Sequence, residues 1–136
     1  MKKLLIIALA TLTACQPVSN WKYKEIEQVD QVRKFMELKG ETFTVQLECG
    51  RPSVRIITPE SVGAGLGLKA RFGTGQVNDL PGKRIHIDTL QVEHPNWFVS
   101  NVNFYDKLVL QFSHIDGTVV SEVLDIRGFK DANKCT

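Results

Sequence analysis

The chain has 136 residues, of which 43% are hydrophobic, and seventeen Lys and Arg against fifteen Asp and Glu give a formal charge of +2. This length fits a single domain with one modest hydrophobic core. The charge is small and its basic residues are not clustered, which excludes the basic surface of a typical nucleic-acid-binding protein. We therefore expect no nucleic acid among its partners.

A short apolar leader begins the chain. Lys2 and Lys3 precede an uncharged run over residues 4–12. This order of charge and apolar residues is that of a secretory signal peptide, and the run is too short to cross a bilayer, which takes about 20 helical residues. The run ends in the letters LTAC at residues 12–15. This motif resembles the lipobox of bacterial lipoproteins, although a residue smaller than Thr13 is commoner at that position.

The lipobox resemblance implies an address and an anchor. In that family a diacylglyceryl group is attached to the cysteine sulfur and the leader is cut just before it, here at Cys15. Two or more acyl chains hold a protein stably on a bilayer leaflet. Gln16 stands where enteric lipoproteins of the inner membrane have aspartate, so the outer membrane is expected. The predicted organisation is a signal peptide over 1–14, a lipidated tether over 15–20 and a single β-rich domain over 21–136.

Two further cysteines remain after the anchor is assigned. An even pair in an exported protein predicts a disulfide between Cys49 and Cys135, which would close a loop of about 86 residues. The alternative is two buried free thiols. Neither cysteine has a CxxC neighbour, so no metal is expected, and no cofactor is predicted.

The first predicted element of the domain is a helix over residues 21–39. Ile26, Val29, Val32 and Met36 recur there at spacings of three to four, which is typical of an amphipathic helix.

After Gly40 the hydrophobic period changes to two, which predicts strands. The predicted strands cover residues 43–49, 54–58, 66–72, 84–93 with a bulge between Ile87 and Leu90, 97–105, 107–114 and 119–126. The letters DGT at 116–118 predict a hairpin. The expected fold is α+β and mainly antiparallel β, with one N-terminal helix packed on a six- to seven-stranded sandwich or small barrel.

Catalytic and metal-binding patterns are absent from the sequence. The glycine-rich stretch over 61–75 fits neither the Walker nor the dinucleotide-binding spacing. His86, His94 and His114 have no spacing that indicates a zinc site, and no GxSxG elbow accompanies them. We therefore predict that the protein is not an enzyme.

One segment is a candidate for partner binding. In a strand over 97–105, the side chains of Trp97, Asn101, Asn103 and Tyr105 share one face. Aromatic rings flanking amides are typical of surfaces that bind proteins or carbohydrates. The alternative is that Trp97 and Tyr105 pack against the helix or a second sheet.

These observations favour a non-enzymatic binding lipoprotein with an envelope protein as partner, of an accessory, immunity or exclusion type. A first alternative is an inhibitor of lysozyme. The letters FTVQLECG followed by SVGAGLGLKARF are similar in order to elements of the membrane-bound lysozyme inhibitor family, although the family's Ser-Gly-x-x-Tyr loop and later aromatic motif are missing. A second alternative is a peptidoglycan hydrolase, which would need convergent histidine and carboxylate side chains in a pocket.

Overall fold

The computed structural model describes residues 19–58, 67–114 and 116–135. The leader, Cys15, most of the tether and much of the glycine-rich stretch lie outside these ranges. Neither helix in the described ranges is long and apolar enough to cross a membrane.

The described chain forms ten strands and two short helices. The strands are β1 Trp21–Glu27, β2 Val32–Lys39, β3 Thr44–Glu48, β4 Val54–Ile57, β5 Leu68–Phe72, β6 Asn78–Asp79, β7 Gly82–His86, β8 Thr89–Val92, β9 Lys107–Ser113 and β10 Val119–Asp125, and the helices are α1 Pro95–Phe104 and α2 Phe129–Ala132. Six strands form one sheet in the order β1-β2-β3-β4-β8-β7, and four form a second in the order β10-β9-β5-β6. Every neighbouring pair is antiparallel, so the prediction of a mainly antiparallel β domain is confirmed.

The hydrophobic core lies between the two sheets. Along β9 the buried side chains of Leu108, Leu110 and Phe112 alternate with half-buried ones, as a strand with one covered face requires. The ring of Phe112 meets that of Phe43, which precedes β3, edge-on at a centroid distance of 5.8 Å. Both rings are fully buried, so this contact joins the two sheets.

The predicted N-terminal helix is wrong, because residues 21–39 form the hairpin of β1 and β2. The apolar residues that indicated a helix, Ile26, Val29 and Val32, are all exposed near the hairpin turn. The core residues of the hairpin are instead at its other end, with Met36 and Leu38 two positions apart on β2 and Trp21 on β1 directly opposite Leu38. Burial in the sheet, not the helical spacing, decides the structure here.

The predicted strand over 97–105 is also wrong, because α1 occupies this segment. Pro95 lies in the first turn of α1, where a missing backbone N–H costs nothing. Phe98 and Val102 are buried one helical turn apart, whereas Phe104, which an alternating strand would place on the same buried face, is 79% exposed. The one substantial helix among the described residues therefore lies well past the middle of the chain.

The long strand predicted over 84–93 is in fact the hairpin of β7 and β8. The chain reverses at Ile87 and Asp88, at the position where the sequence predicted a bulge. The other predicted strands are confirmed in the described residues as β3, β4, β5, β9 and β10. The hairpin at 116–118 is confirmed as well, with the Thr118 N–H donating to Asp116 Oδ1 at 2.9 Å.

The predicted disulfide is confirmed. Cys49 and Cys135 are joined with their Cα atoms 5.0 Å apart, which excludes the alternative of two free thiols. Cys49 directly follows β3, and its N–H donates to the carbonyl of Lys34 on β2 at 2.9 Å. The disulfide therefore ties the end of the chain to the six-stranded sheet.

A single carboxylate also links the two sheets. Glu122 on β10 accepts hydrogen bonds from the backbone N–H groups of Glu41, Thr42 and Phe43 at 2.7, 3.0 and 2.8 Å. These donors lie in the turn between β2 and β3. A side chain at Gly40 would place its Cβ 2.5 Å from Glu122 Oε1, so glycine at this position permits the close approach of turn and carboxylate.

Candidate docking site on helix α1

Helix α1 is held against the domain by its buried face. Phe98 and Val102 belong to the main core, and the ring of Phe98 lies edge-on to that of Phe72 on β5, with centroids 5.3 Å apart. The helix also packs against β4 and α2. The sheets therefore provide a rigid support for whatever α1 presents to solvent.

The outer face of α1 carries two exposed aromatic rings. Trp97 is 38% exposed and Phe104 is 79% exposed. They are seven residues apart, which places them on the same helical face two turns apart, with Asn101 between them. The Asn101 Nδ2 group donates to the carbonyl oxygen of Trp97 at 2.8 Å. We call Trp97, Asn101 and Phe104 the α1 ridge.

The rings at both ends of the α1 ridge rest on other aromatic side chains. Trp97 meets Phe72 edge-on at 5.7 Å, and Phe104 meets Tyr105 edge-on at 4.9 Å. Tyr105 in turn lies over Gly73, which has a φ of +61°, and a Cβ added to this glycine would lie only 2.7 Å from the tyrosine ring. Each ring contact restricts the rotamers of an exposed side chain, which lowers the entropy lost when a partner binds.

A groove runs beside the N-terminal end of α1. It has a volume of about 610 Å³, and two segments, residues 78–81 and 92–97, form its walls. Its apolar walls include Leu80, Pro81 and Trp97, and it carries the carboxylates of Asp79 and Glu93. Neither carboxylate forms an ion pair or a hydrogen bond with another described residue. We call this space the α1 groove.

Three polar groups of the α1 groove have no partner among the described residues, namely the indole N–H of Trp97 and the carboxylates of Asp79 and Glu93. The indole N–H of Trp97 has no acceptor within the described part of the chain, although a tryptophan N–H at an interface normally finds one. Asp79 lies on β6, the short edge strand of the four-stranded sheet, and Glu93 directly follows β8. The groove thus combines a hydrophobic wall, the indole donor of Trp97 and two negative charges.

The structure brings together two of the four residues predicted for partner binding. Trp97 and Asn101 both lie on the α1 ridge. Asn103 is exposed on another side of the helix, and Tyr105 follows the helix end and is half-buried against Phe72. The strand prediction assigned these two to the wrong face, because alternation and helical periodicity agree over only part of the segment.

Three residues of the site were missed by sequence reasoning. Phe104 was assigned to the core face of a strand, and Asp79 and Glu93 had no role. The position of Phe104 had a signal in the sequence, since Pro95 marks a helix start and then places residues 97 and 104 on one face. Asp79 and Glu93 had no such signal in the sequence, because they are brought together only by the folding of the turn before β7 onto the end of β8.

The three histidines lie on separate elements. His86 ends β7, His94 precedes α1 at the groove, and His114 follows β9. Among the described residues no three His, Cys, Asp or Glu side chains are grouped as metal ligands would be.

No protein-family model, curated protein or solved structure matches this chain. A function for the α1 ridge and groove is therefore inferred from the chemistry of their side chains alone. Exposed aromatic rings fixed by neighbours, with carboxylates and an indole donor beside them, are suited to binding a protein segment.

Proposed function

We propose that the protein is a non-enzymatic binding module of the cell envelope, anchored to the outer membrane through acylated Cys15. Its partner is an envelope protein that docks on the α1 ridge and groove. The anchor is supported by the LTAC motif, and the outer membrane by Gln16. The docking surface is supported by the geometry of α1.

The observation that carries the proposal is the pair of exposed rings on one face of α1. Trp97 and Phe104 are supported from below by other aromatic rings, and large exposed aromatic side chains at such positions are typical binding hot spots. The exposed parts of both rings bury no apolar area within the described part of the domain. A partner surface that covers them would remove this apolar area from water.

The charge of the groove defines the partner segment further. Asp79 and Glu93 are both negative and lack partners among the described residues, so the complementary segment carries Lys or Arg. The apolar walls formed by Leu80 and Pro81 accept an aliphatic or aromatic side chain next to that cation. The occupant we propose is therefore a segment of an envelope protein with apolar and basic residues side by side.

Replacing Trp97 with alanine is expected to weaken the complex at least about thirtyfold, since loss of a hot spot costs about 2 kcal/mol or more of binding free energy. The stability of the domain should fall by only about 1 kcal/mol, because Trp97 contributes one edge contact with Phe72. The measurement is the amount of partner recovered by chemical crosslinking in intact cells, compared between the Trp97→Ala chain and the unaltered chain. Val119→Ala, which truncates an exposed side chain on β10, is the matched control and should leave the complex intact.

Equal recovery of the complex from the Trp97→Ala chain would contradict the proposal. A lysozyme activity assay tests the alternative function. If a stoichiometric amount of the protein fully inhibits lysozyme, and Trp97→Ala inhibits it equally well, lysozyme inhibition is favoured over docking on α1.

Replacing Cys15 with serine is expected to move the protein from the membrane fraction to the soluble fraction of lysed cells. The reason is that no acyl chain can then be attached, and two or more chains provide the whole anchoring energy. Mass spectrometry of the purified chain measures the loss of the acyl groups. As a control, Gln16→Asp should keep the acyl groups but shift the protein to the inner membrane. Persistence of the Cys15→Ser chain in the membrane fraction would disprove the lipid anchor.

A further inference from the structure

A second pocket lies beside the disulfide, on residues that the proposed function does not use. It has a volume of about 660 Å³ and lies where the β1–β2 hairpin, the loop after β3 and the end of the chain meet. Five basic side chains line it against one carboxylate: Arg33, Lys34, Arg51, Arg55, Lys134 and, as the acid, Glu48. We call it the cationic pocket.

The single carboxylate of the cationic pocket is shared by two arginines. Arg33 Nε forms a close ion pair with Glu48 Oε1, and Arg55 Nε lies 3.8 Å from the same oxygen. That second distance is too long for a hydrogen bond. Glu48 therefore neutralises Arg33 and leaves Arg55 without a full counter-charge.

The guanidinium of Arg33 has several partners within the fold. Its guanidinium lies 4.2 Å from the ring centre of the buried Phe35, and its Nη2 group donates to Gln46 Oε1 at 2.7 Å. Gln46 in turn donates to Glu37 at 2.8 Å. These contacts cover the outer face of the six-stranded sheet and hold Glu48 in place.

The guanidinium of Arg55, in contrast, is not fully paired. Its Nε atom is buried and has no hydrogen-bond acceptor among the described residues, although buried donors in proteins are nearly always paired. Burial lowers the pKa of Arg55 below its ordinary value, the positive charge of Arg33 lowers it further, and the carboxylate of Glu48 offsets only part of this. The charge of Arg55 is therefore only partly balanced, and its buried Nε lacks a hydrogen-bond acceptor among the described residues.

Three further cations stand at the mouth of the pocket. Lys34, Arg51 and Lys134 are exposed, and none forms an ion pair with a described residue. The disulfide between Cys49 and Cys135 holds Lys134 next to the loop that carries Arg51. The covalent link thus keeps the charge of Lys134 close to that of Arg51 in the cationic pocket.

We propose that the cationic pocket binds a phosphate group carried by a small polar molecule or a lipid headgroup. A phosphate dianion matches the charge excess better than a single carboxylate. Its oxygens can accept from the planar guanidinium of Arg55 while lysines provide the remaining charge. Ser53 and Gln91 on the same wall, hydrogen-bonded to each other at 3.3 Å, offer neutral groups to a polar body attached to the phosphate.

Calorimetric titration of the full acylated chain in neutral detergent, at low salt, tests the proposal. The probes are inorganic phosphate and glycerol 3-phosphate. The unaltered chain should bind at least one of them saturably, and Arg55→Gln should weaken that binding at least tenfold. Lys134→Gln, an exposed change that leaves the fold undisturbed, should weaken it severalfold. Lys69→Gln, an exposed lysine on β5 outside the pocket, is the matched control and should bind as the unaltered chain does.

A second arm separates the two sources of phosphate. The chain is incubated with phosphatidylcholine vesicles that contain phosphatidic acid as a minor component, and the effect of Arg55→Gln on the content of phosphatidic acid around the protein is measured by lipid crosslinking. An Arg55-dependent enrichment without binding of the soluble probes assigns the site to a lipid headgroup, and binding of the soluble probes without enrichment assigns it to a small molecule. Absence of both effects, or effects that Arg55→Gln and Lys134→Gln leave unchanged, would overturn the proposal.

Discussion

Replacing Cys49 and Cys135 together with serine is expected to lower the free energy of unfolding by about 4 to 5 kcal/mol. The two cysteines are 86 residues apart in sequence, so the bond removes much of the conformational freedom of the unfolded chain. Domains of this size are stable by only about 5 to 15 kcal/mol in total. The loss would therefore leave a marginal domain, and urea denaturation followed by circular dichroism measures it.

Two controls make this result specific. The unaltered chain under reducing conditions should unfold at the same urea concentration as the double variant. Cys15→Ser, measured with the disulfide oxidised, should unfold as the unaltered chain does, because Cys15 takes no part in the bond. A loss of less than about 1 kcal/mol in the double variant would show that the bond adds little to a fold already closed by its sheets.

Replacing Phe98 with alanine is expected to lower the free energy of unfolding by about 3 to 5 kcal/mol. Phe98 is fully buried, and its ring contacts that of Phe72 on β5. Truncation leaves a cavity between α1 and the sheets that the surrounding chain fills only in part. Thermal or urea denaturation of the variant measures the loss.

The neighbouring residue provides the control for Phe98. Trp97→Ala changes a side chain of greater size one position earlier, yet it should cost only about 1 kcal/mol because that ring is on the outer face. The two variants should therefore differ in what they affect, with Phe98→Ala acting on stability and Trp97→Ala acting on partner binding. Equal losses of stability would contradict the assignment of one ring to the core and the other to the docking surface.

The strands that sequence predicts correctly are those with one covered face. Along β9, Leu108, Leu110 and Phe112 alternate with polar or smaller residues, and in β5 the buried Leu68, Ala70 and Phe72 alternate with charged ones. In these strands the pattern and the burial agree, because the period of two is the cause of both. The cysteine pair was predictable for a different reason, which is the rarity of free thiols in exported proteins.

Two of the wrongly predicted elements fail where apolar residues are exposed rather than buried. Ile26, Val29 and Val32 produced the helical spacing of the predicted N-terminal helix, yet all three are exposed. Trp97 and Phe104 obscured the helical pattern of α1 for the same reason, because their apolar rings are exposed to solvent. Periodicity assumes that apolar side chains point to the core, so it fails where such side chains are exposed to solvent.

The candidate sites were predictable only in part. Trp97 and Asn101 could be singled out from one segment of the sequence. Asp79 joins them through the packing of β6 near the start of α1, and the cationic pocket unites Arg33, Arg55 and Lys134 from three distant parts of the chain. Long-range pairing of this kind depends on strand order, which local patterns do not contain.

Photocrosslinking in living cells can show whether an envelope protein docks on the α1 ridge and groove. A benzophenone amino acid replaces Phe104 in one strain and Val119, an exposed residue of β10, in another. We expect one captured envelope protein from position 104, none from position 119, and loss of the capture when Asp79 and Glu93 are both changed to lysine. Capture of the same proteins from both positions, or capture from 104 that survives the two charge reversals, would contradict docking at this site.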